Sequence, residues 1–219
     1  MTKGHVSIGA ILYNGFEMLD LFGPLEMFSL LPADQVTIHM IAEQAGPMHS
    51  ALGTQLTGPK AVADFGFADA PDLDMLLLPG GFGTLPELEN PKMLNFLSER
   101  SKTAQITASV CTGSALLAKA GVLDGHKATS NKQLFALATT QSDEVEWVES
   151  ARWVDDGLVV TASGISAGID MALSIIKRLW DEATARRVAS VAEYTWDHGA
   201  ENDPFASELN KMAGEIGLG

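Results

Sequence analysis

Ile106-Thr-Ala-Ser-Val-Cys111-Thr-Gly-Ser-Ala-Leu-Leu-Ala-Lys-Ala-Gly121 is an apolar run that passes without a linker into a helical pattern. The only cysteine of the 219 residues stands at the turn. A thiol at a strand-to-helix turn is lifted out of the core and faces the unpaired amides of a helix start. Both effects are expected to favour the reactive thiolate. Asp74-Met-Leu-Leu-Leu-Pro79 is a second continuous apolar run, as a parallel strand buried on both faces requires. It ends in Gly80-Gly81-Phe82-Gly83. Both runs therefore deliver unusual residues at strand carboxyl ends, which is where open parallel sheets place their sites.

Working outward, His5 to Leu12 and Gln35 to Ala42 read as strands, and Pro47 to Ala63 as short strands broken by glycine. Glu17 to Leu31 has helical spacing, with a bend or restart expected at Gly23-Pro24. Asn90-Pro91 opens a helix reaching about Ser101, and Gly121 suits the C-cap of the helix after Cys111. Lys127 to Thr129 is extended, and a helix is predicted over about Lys132 to Thr139. Val145 to Val154 and Leu158 to Ala162 flank Asp155-Asp156-Gly157, a hairpin signal. Ile165 to Trp180 and Glu182 to Tyr194 read as two closing helices. Strands alternating with helices predict one α/β domain over residues 1–219, its mainly parallel sheet covered on both faces.

Composition narrows the function. Twenty-eight acidic against 14 basic residues give a formal charge of −14, which opposes binding to nucleic acid or anionic membranes. A single cysteine excludes an intrachain disulfide and Cys-rich metal sites, and the five histidines lack close ligand spacing. No metal or cofactor is expected. The N-terminus carries no signal-peptide pattern and no apolar stretch is long enough to span a bilayer, so a soluble cytoplasmic protein acting on a small molecule is expected.

Cys111 is followed by small residues, Gly113 and Ser114, as a crowded elbow requires, although Ser109 replaces the usual first glycine of that turn. Glycine at 80 and 81 would let backbone amides approach a ligand. An anionic intermediate could then be held by the N–H groups of Gly81 and Thr112. Asp20 lies among Leu19, Leu21 and Phe22; burial there would raise its pKa and keep a proton available beside the thiol. Each feature also has a plain structural explanation: a buried small hydrophobe, a turn, a helix cap.

Taken together, Leu19-Asp-Leu-Phe-Gly-Pro24, Leu78-Pro-Gly-Gly81, Ser109-Val-Cys-Thr-Gly113, Leu123-Asp-Gly125 with Ala128-Thr129, and Gly164-Ile-Ser-Ala-Gly-Ile-Asp170 resemble the ThiJ/PfpI superfamily, and within it the isocyanide hydratase branch. The resemblance runs from about His5 to Tyr194, with Asp203-Pro-Phe205 similar to that branch's tail. It implies a flavodoxin-like three-layer α/β sandwich with a cysteine nucleophile elbow, and a homodimer. It implies Cys111 as nucleophile, Asp20 as its acidic partner and Thr112 as the residue following the nucleophile. Gly80, Gly81, Gly164 and Ile165 would line the substrate site. The implied reaction is cofactor-independent hydration of an isocyanide to an N-formamide, with Asp20 protonating the substrate nitrogen. Redox sensing through Cys111 and glyoxalase-like activity on α-oxoaldehydes are the alternatives. Two departures stand out. Thr112 occupies the position where PfpI-type peptidases have histidine, and Asn131-Lys132 stands where the hydratase branch carries His-Trp.

Overall fold

The computed structural model describes residues 4–218. The first half contains β1 (Val6–Ile11), α1 (Met18–Ser29), β2 (Val36–Ala42), β3 (Gly46–His49), β4 (Lys60–Ala63), β5 (Phe65–Gly66) and β6 (Met75–Leu78). There follow α2 (Thr84–Glu87), α3 (Pro91–Ser101), β7 (Ile106–Val110), α4 (Gly113–Lys119), β8 (Lys127–Ala128) and α5 (Phe135–Thr139). The rest holds β9 (Glu146–Trp147), β10 (Trp153–Asp156), β11 (Val159–Ala162), α6 (Ala167–Leu179) and α7 (Glu182–Val191). A 3-10 turn (Ala206–Glu208) and α8 (Lys211–Glu215) complete the tail.

Seven strands form one sheet in the order β10-β11-β7-β6-β1-β2-β5, parallel except for the β10–β11 hairpin. Every residue of β6, β7 and β11 is buried, which accounts for the unbroken apolar sequence of β6 and for the apolar and small uncharged residues of the other two. Helices α1, α6 and α7 pack on one another, and α3, α4 and α5 form a second group, so the sheet has helices on both sides. The chain leaves β1 toward β2 on one side and later crosses to β6 on the other. The carboxyl ends of β1 and β6 therefore flank a topological switch, the expected position of a site.

Several local expectations are revised. Helix α1 runs unbroken through Gly23-Pro24 with Pro24 buried inside it. Proline removes a backbone donor, but packing of this buried turn against α6 holds the helix together. The 132–139 helix begins only at Phe135. The segment 145–154 is not one strand: Glu146–Trp147 pairs with β8, and only Trp153–Asp156 joins the main sheet. Its hairpin turn is Gly157-Leu158, one position later than expected. Gly157 has φ +77 at the first turn position, the pattern of a type II′ hairpin.

The final residue of the Gly164–Asp170 motif has a structural role. Buried Asp170 accepts from Arg152 Nε and Nη2 at 2.9 and 2.7 Å, and its other oxygen accepts from Tyr194 Oη and Asp197 N, both at 3.0 Å. Four donors on one carboxylate compensate its burial and tie α6 to the start of β10 and to the tail.

Candidate active site

β7 ends at Val110 and α4 begins at Gly113, leaving two residues for a reversal of direction. Cys111 takes φ +59, a left-handed conformation costly for a side-chain-bearing residue. The surroundings fix it there. Its N–H donates to the carbonyls of Ala162 and Ser163, and its own carbonyl accepts from Ser114 Oγ at 3.1 Å and Ser130 Oγ at 3.2 Å. The glycines beside the elbow are required by contact. A Cβ on Gly80 would lie 2.5 Å from Thr112 N, and one on Gly113 would lie 2.6 Å from the Leu78 carbonyl. Ser109, where an elbow ordinarily has glycine, has a buried hydroxyl without a hydrogen-bond partner among the described residues.

Cys111 lies at the floor of a pocket of about 360 Å³. Thr112, Gly81, Gly164 and Ile165 line the same space; Asp20 and Gly80 lie behind the thiol, fully buried. The Gly80 N–H donates to Asp20 Oδ2 at 2.9 Å. Asp20 Oδ1 is buried without a well-formed hydrogen bond among the described residues, and the Cys111 thiol is near enough to act on the carboxyl. Burial pushes the Asp20 carboxyl well above the ordinary carboxylate range, and the negative charge of Glu17 adds to the rise.

The thiol departs from the expectation of a thiolate. Burial and then the charge of Asp20 hold its pKa well above that of a free cysteine, outweighing the Thr112 N–H and the Asn131 amide, which act in the opposite direction. A short helix start supplies too little to overcome desolvation. Both shifts act toward keeping protons on the Cys111–Asp20 pair.

The two backbone donors are also partly committed. Gly81 N–H donates to Thr112 Oγ1 at 3.0 Å, and Thr112 N–H acts on the sulfur. The Thr112 hydroxyl belongs to a directed chain. Tyr13 Oη gives its one proton to the Pro79 carbonyl at 2.7 Å, so Thr84 Oγ1 donates to Tyr13 and Thr112 Oγ1 donates to Thr84. Thr112 thus clamps the Gly80-Gly81 turn onto the elbow.

Asn131 enters the site as an unforeseen participant. Its Nδ2 donates to Cys111 Sγ at 3.1 Å while its Oδ1 accepts from Leu134 N at 3.0 Å, which fixes the amide's orientation. A Cβ on Gly164 would fall 2.4 Å from that Nδ2, so glycine leaves space for the donor. The departure at Asn131-Lys132, three residues past the end of β8, was the available signal. Lys132, buried beside it, directs its ammonium to Thr129 Oγ1 and the Ala151 carbonyl, and burial lowers its pKa to about 8. None of the residues lining the pocket is a histidine. Among the described residues no group of three or more His, Cys, Asp or Glu could hold a metal ion, and no helix is long and apolar enough to cross a membrane.

The model of the DJ-1/PfpI family matches residues 6–178. The chain belongs to that family. Within it, the chain is 34% identical to the isonitrile hydratase of Pseudomonas putida, over 86% of its own length and 78% of that protein's. A ThiJ/PfpI family protein from Pseudomonas syringae superposes with a TM-score of 0.80 at 30% identity, covering 98% of this chain and 88% of that one. The transcriptional regulator GbdR of Pseudomonas aeruginosa is 27% identical over 78% of this chain, which matches 46% of the regulator. The flavodoxin-like architecture of this DJ-1/PfpI chain brings four of its sequence motifs to the carboxyl edge of the sheet. The Leu123–Thr129 motif instead leads into the loop carrying Asn131.

Proposed function

We propose that the protein hydrates a small, apolar isonitrile to the N-substituted formamide, with Cys111 as nucleophile. The observation that carries this reading is the position of Cys111 in a pocket lined mostly by apolar groups and without histidine, with the fully buried Asp20 carboxyl behind the thiol. Similarity to the Pseudomonas putida isonitrile hydratase supports it. An isonitrile is neutral and needs one nucleophile and one proton at the same carbon, and such a pair supplies both.

In the proposed sequence, Cys111 sulfur bonds to the terminal carbon as the pair's proton passes to that same carbon, giving an S-linked thioimidate. Atom balance places this first proton on carbon rather than on nitrogen as the family resemblance implied, because the product formamide carries a new C–H bond. Water then adds to the thioimidate carbon. Asp20, now ionised, accepts one proton of that water while nitrogen acquires another. The tetrahedral adduct expels the sulfur, giving the formamide, and the thiol–carboxyl pair recovers its proton. The pocket-facing amides of Asn131 and Thr112 steady the sulfur as charge develops on it. Gly81 can join only by exchanging its bond to Thr112. Incubation with methyl and cyclohexyl isocyanide, followed by mass spectrometry of the formamides, tests the reading; absence of product from both would refute it.

Asn131 should matter through the sulfur. Asn131→Ala removes a donor to a developing anion, so kcat/KM should drop by about 10- to 100-fold. Alkylation of Cys111 by iodoacetamide should require a higher pH than in the wild type. Gly164→Ala should act in the same direction by displacing the amide. An unaltered alkylation pH profile in both variants would remove Asn131 from the mechanism.

A homodimer is part of the same proposal. Met18, Leu19 and Phe22 on α1 are 38%, 42% and 46% exposed, an apolar surface that a stable dimer would cover. Sedimentation should give a dimer for the wild type and a monomer for Phe22→Glu; a monomeric wild type would contradict it.

A further inference from the structure

The tail is bonded on both sides of the pocket. Upstream, Asp203 N donates to the Ser150 carbonyl at 2.7 Å, and Phe205 N donates to Asp203 Oδ1 at 2.8 Å. Downstream, Asn210 takes a left-handed conformation and donates its N–H to the Lys132 carbonyl at 2.8 Å. Its Oδ1 accepts from Ala136 N at 2.7 Å, and Ala213 N donates to the Gln133 carbonyl at 2.9 Å. Ala213 is fully buried. The tail held by these bonds contributes Phe205 and Met212 to the lining of the pocket that also contains Cys111. Phe205 is 56% exposed although it lines the cavity. An apolar group bound in the pocket would cover part of that ring and gain from its burial.

We propose that the segment Asp203–Ala213 is the specificity wall of the Cys111 pocket, with Phe205 and Met212 contacting the hydrocarbon substituent of the substrate. The inference rests on the hydration reading for the identity of the substrate, but not for the wall itself. The reacting carbon must reach the sulfur, so a substituent on the far end of a linear C–N unit points away from Cys111 into the rest of the pocket, whose lining includes the partly exposed Phe205 and Met212. Small substituents leave that wall untouched; cyclic or aryl ones reach it. The wall also braces the loop 132–136 that follows Asn131, so wall and sulfur donor share one framework.

The test compares substrates of different bulk in one variant. In Phe205→Ala, kcat/KM for cyclohexyl isocyanide should drop about tenfold more than kcat/KM for methyl isocyanide, the effect of withdrawing part of an aromatic ring from an apolar group. The change should lie mainly in KM, with Met212→Ala acting in the same direction. Alkylation of Cys111 provides a measure independent of turnover. The rate ratio of iodoacetanilide to iodoacetamide should fall by a similar factor in Phe205→Ala. If neither isocyanide is hydrated but the alkylation ratio falls, the hydration reading is lost and the wall stands. Equal losses for small and bulky reagents, or an unchanged ratio, would overturn the wall.

Discussion

Cys111→Ala is expected to lower isonitrile hydration by about 10⁴-fold or more, because no other side chain lining the pocket supplies an equivalent nucleophile. The fold should persist. Alanine at position 111 would keep the left-handed turn, which is secured by backbone bonds from Cys111 to Ala162 and Ser163 and by the hydroxyls of Ser114 and Ser130. The loss should therefore be chemical rather than structural. Formamide production by mass spectrometry, beside an unfolding curve, separates the two. Turnover within tenfold of the wild type in a folded Cys111→Ala protein would exclude the thiol as nucleophile.

Asp20→Asn should move activity and stability in opposite directions. Asparagine cannot deliver or recover the proton, so turnover should fall by about 10²- to 10⁴-fold. The stability effect follows from the direction of the Asp20 shift. Its folded-state pKa lies above the unfolded value, so the folded chain binds the proton more tightly. The stability this contributes is present in full below the unfolded pKa and is lost as pH rises through the folded one. At neutral pH the unfolded chain gains from ionising Asp20 while the folded chain must either hold the proton or bury a charge. Asparagine removes that penalty and can still accept from Gly80 N–H. The variant should gain about 0.5–2 kcal/mol at pH 7, within the range of relieved functional-site strain. The gain should vanish below about pH 4, where the carboxyl is protonated in both states. Calorimetry at the two pH values reads the difference; a variant less stable than wild type at pH 7 would show that the carboxyl is a structural group.

Features coded by contiguous residues were legible along the chain. The apolar runs at 74–79 and from Ile106 contain the strands Met75–Leu78 and Ile106–Val110, buried throughout, and the small residues after Cys111 form the elbow they suggested. Where the outcome depended on packing, local reading slipped. Pro24 ordinarily breaks a helix, yet contact with α6 holds α1 together. The segment 145–154 has strand-like residues throughout, but it is divided between two sheets by partners far away in sequence.

The site divides along the same line. Sequence by itself determined that Cys111 stands at a strand-to-helix reversal, with glycines where backbone must approach backbone, because turn geometry and glycine chemistry act over a few residues. Only the tertiary structure decided the thiol's protonation, Asn131 as its donor, the commitment of the Gly81 amide to Thr112, and the tail as a pocket wall. Desolvation and hydrogen bonding depend on which atoms surround a group. Here those atoms come from α1, the turn after β6, the loop after β8 and the tail, up to about a hundred residues from Cys111 in the chain.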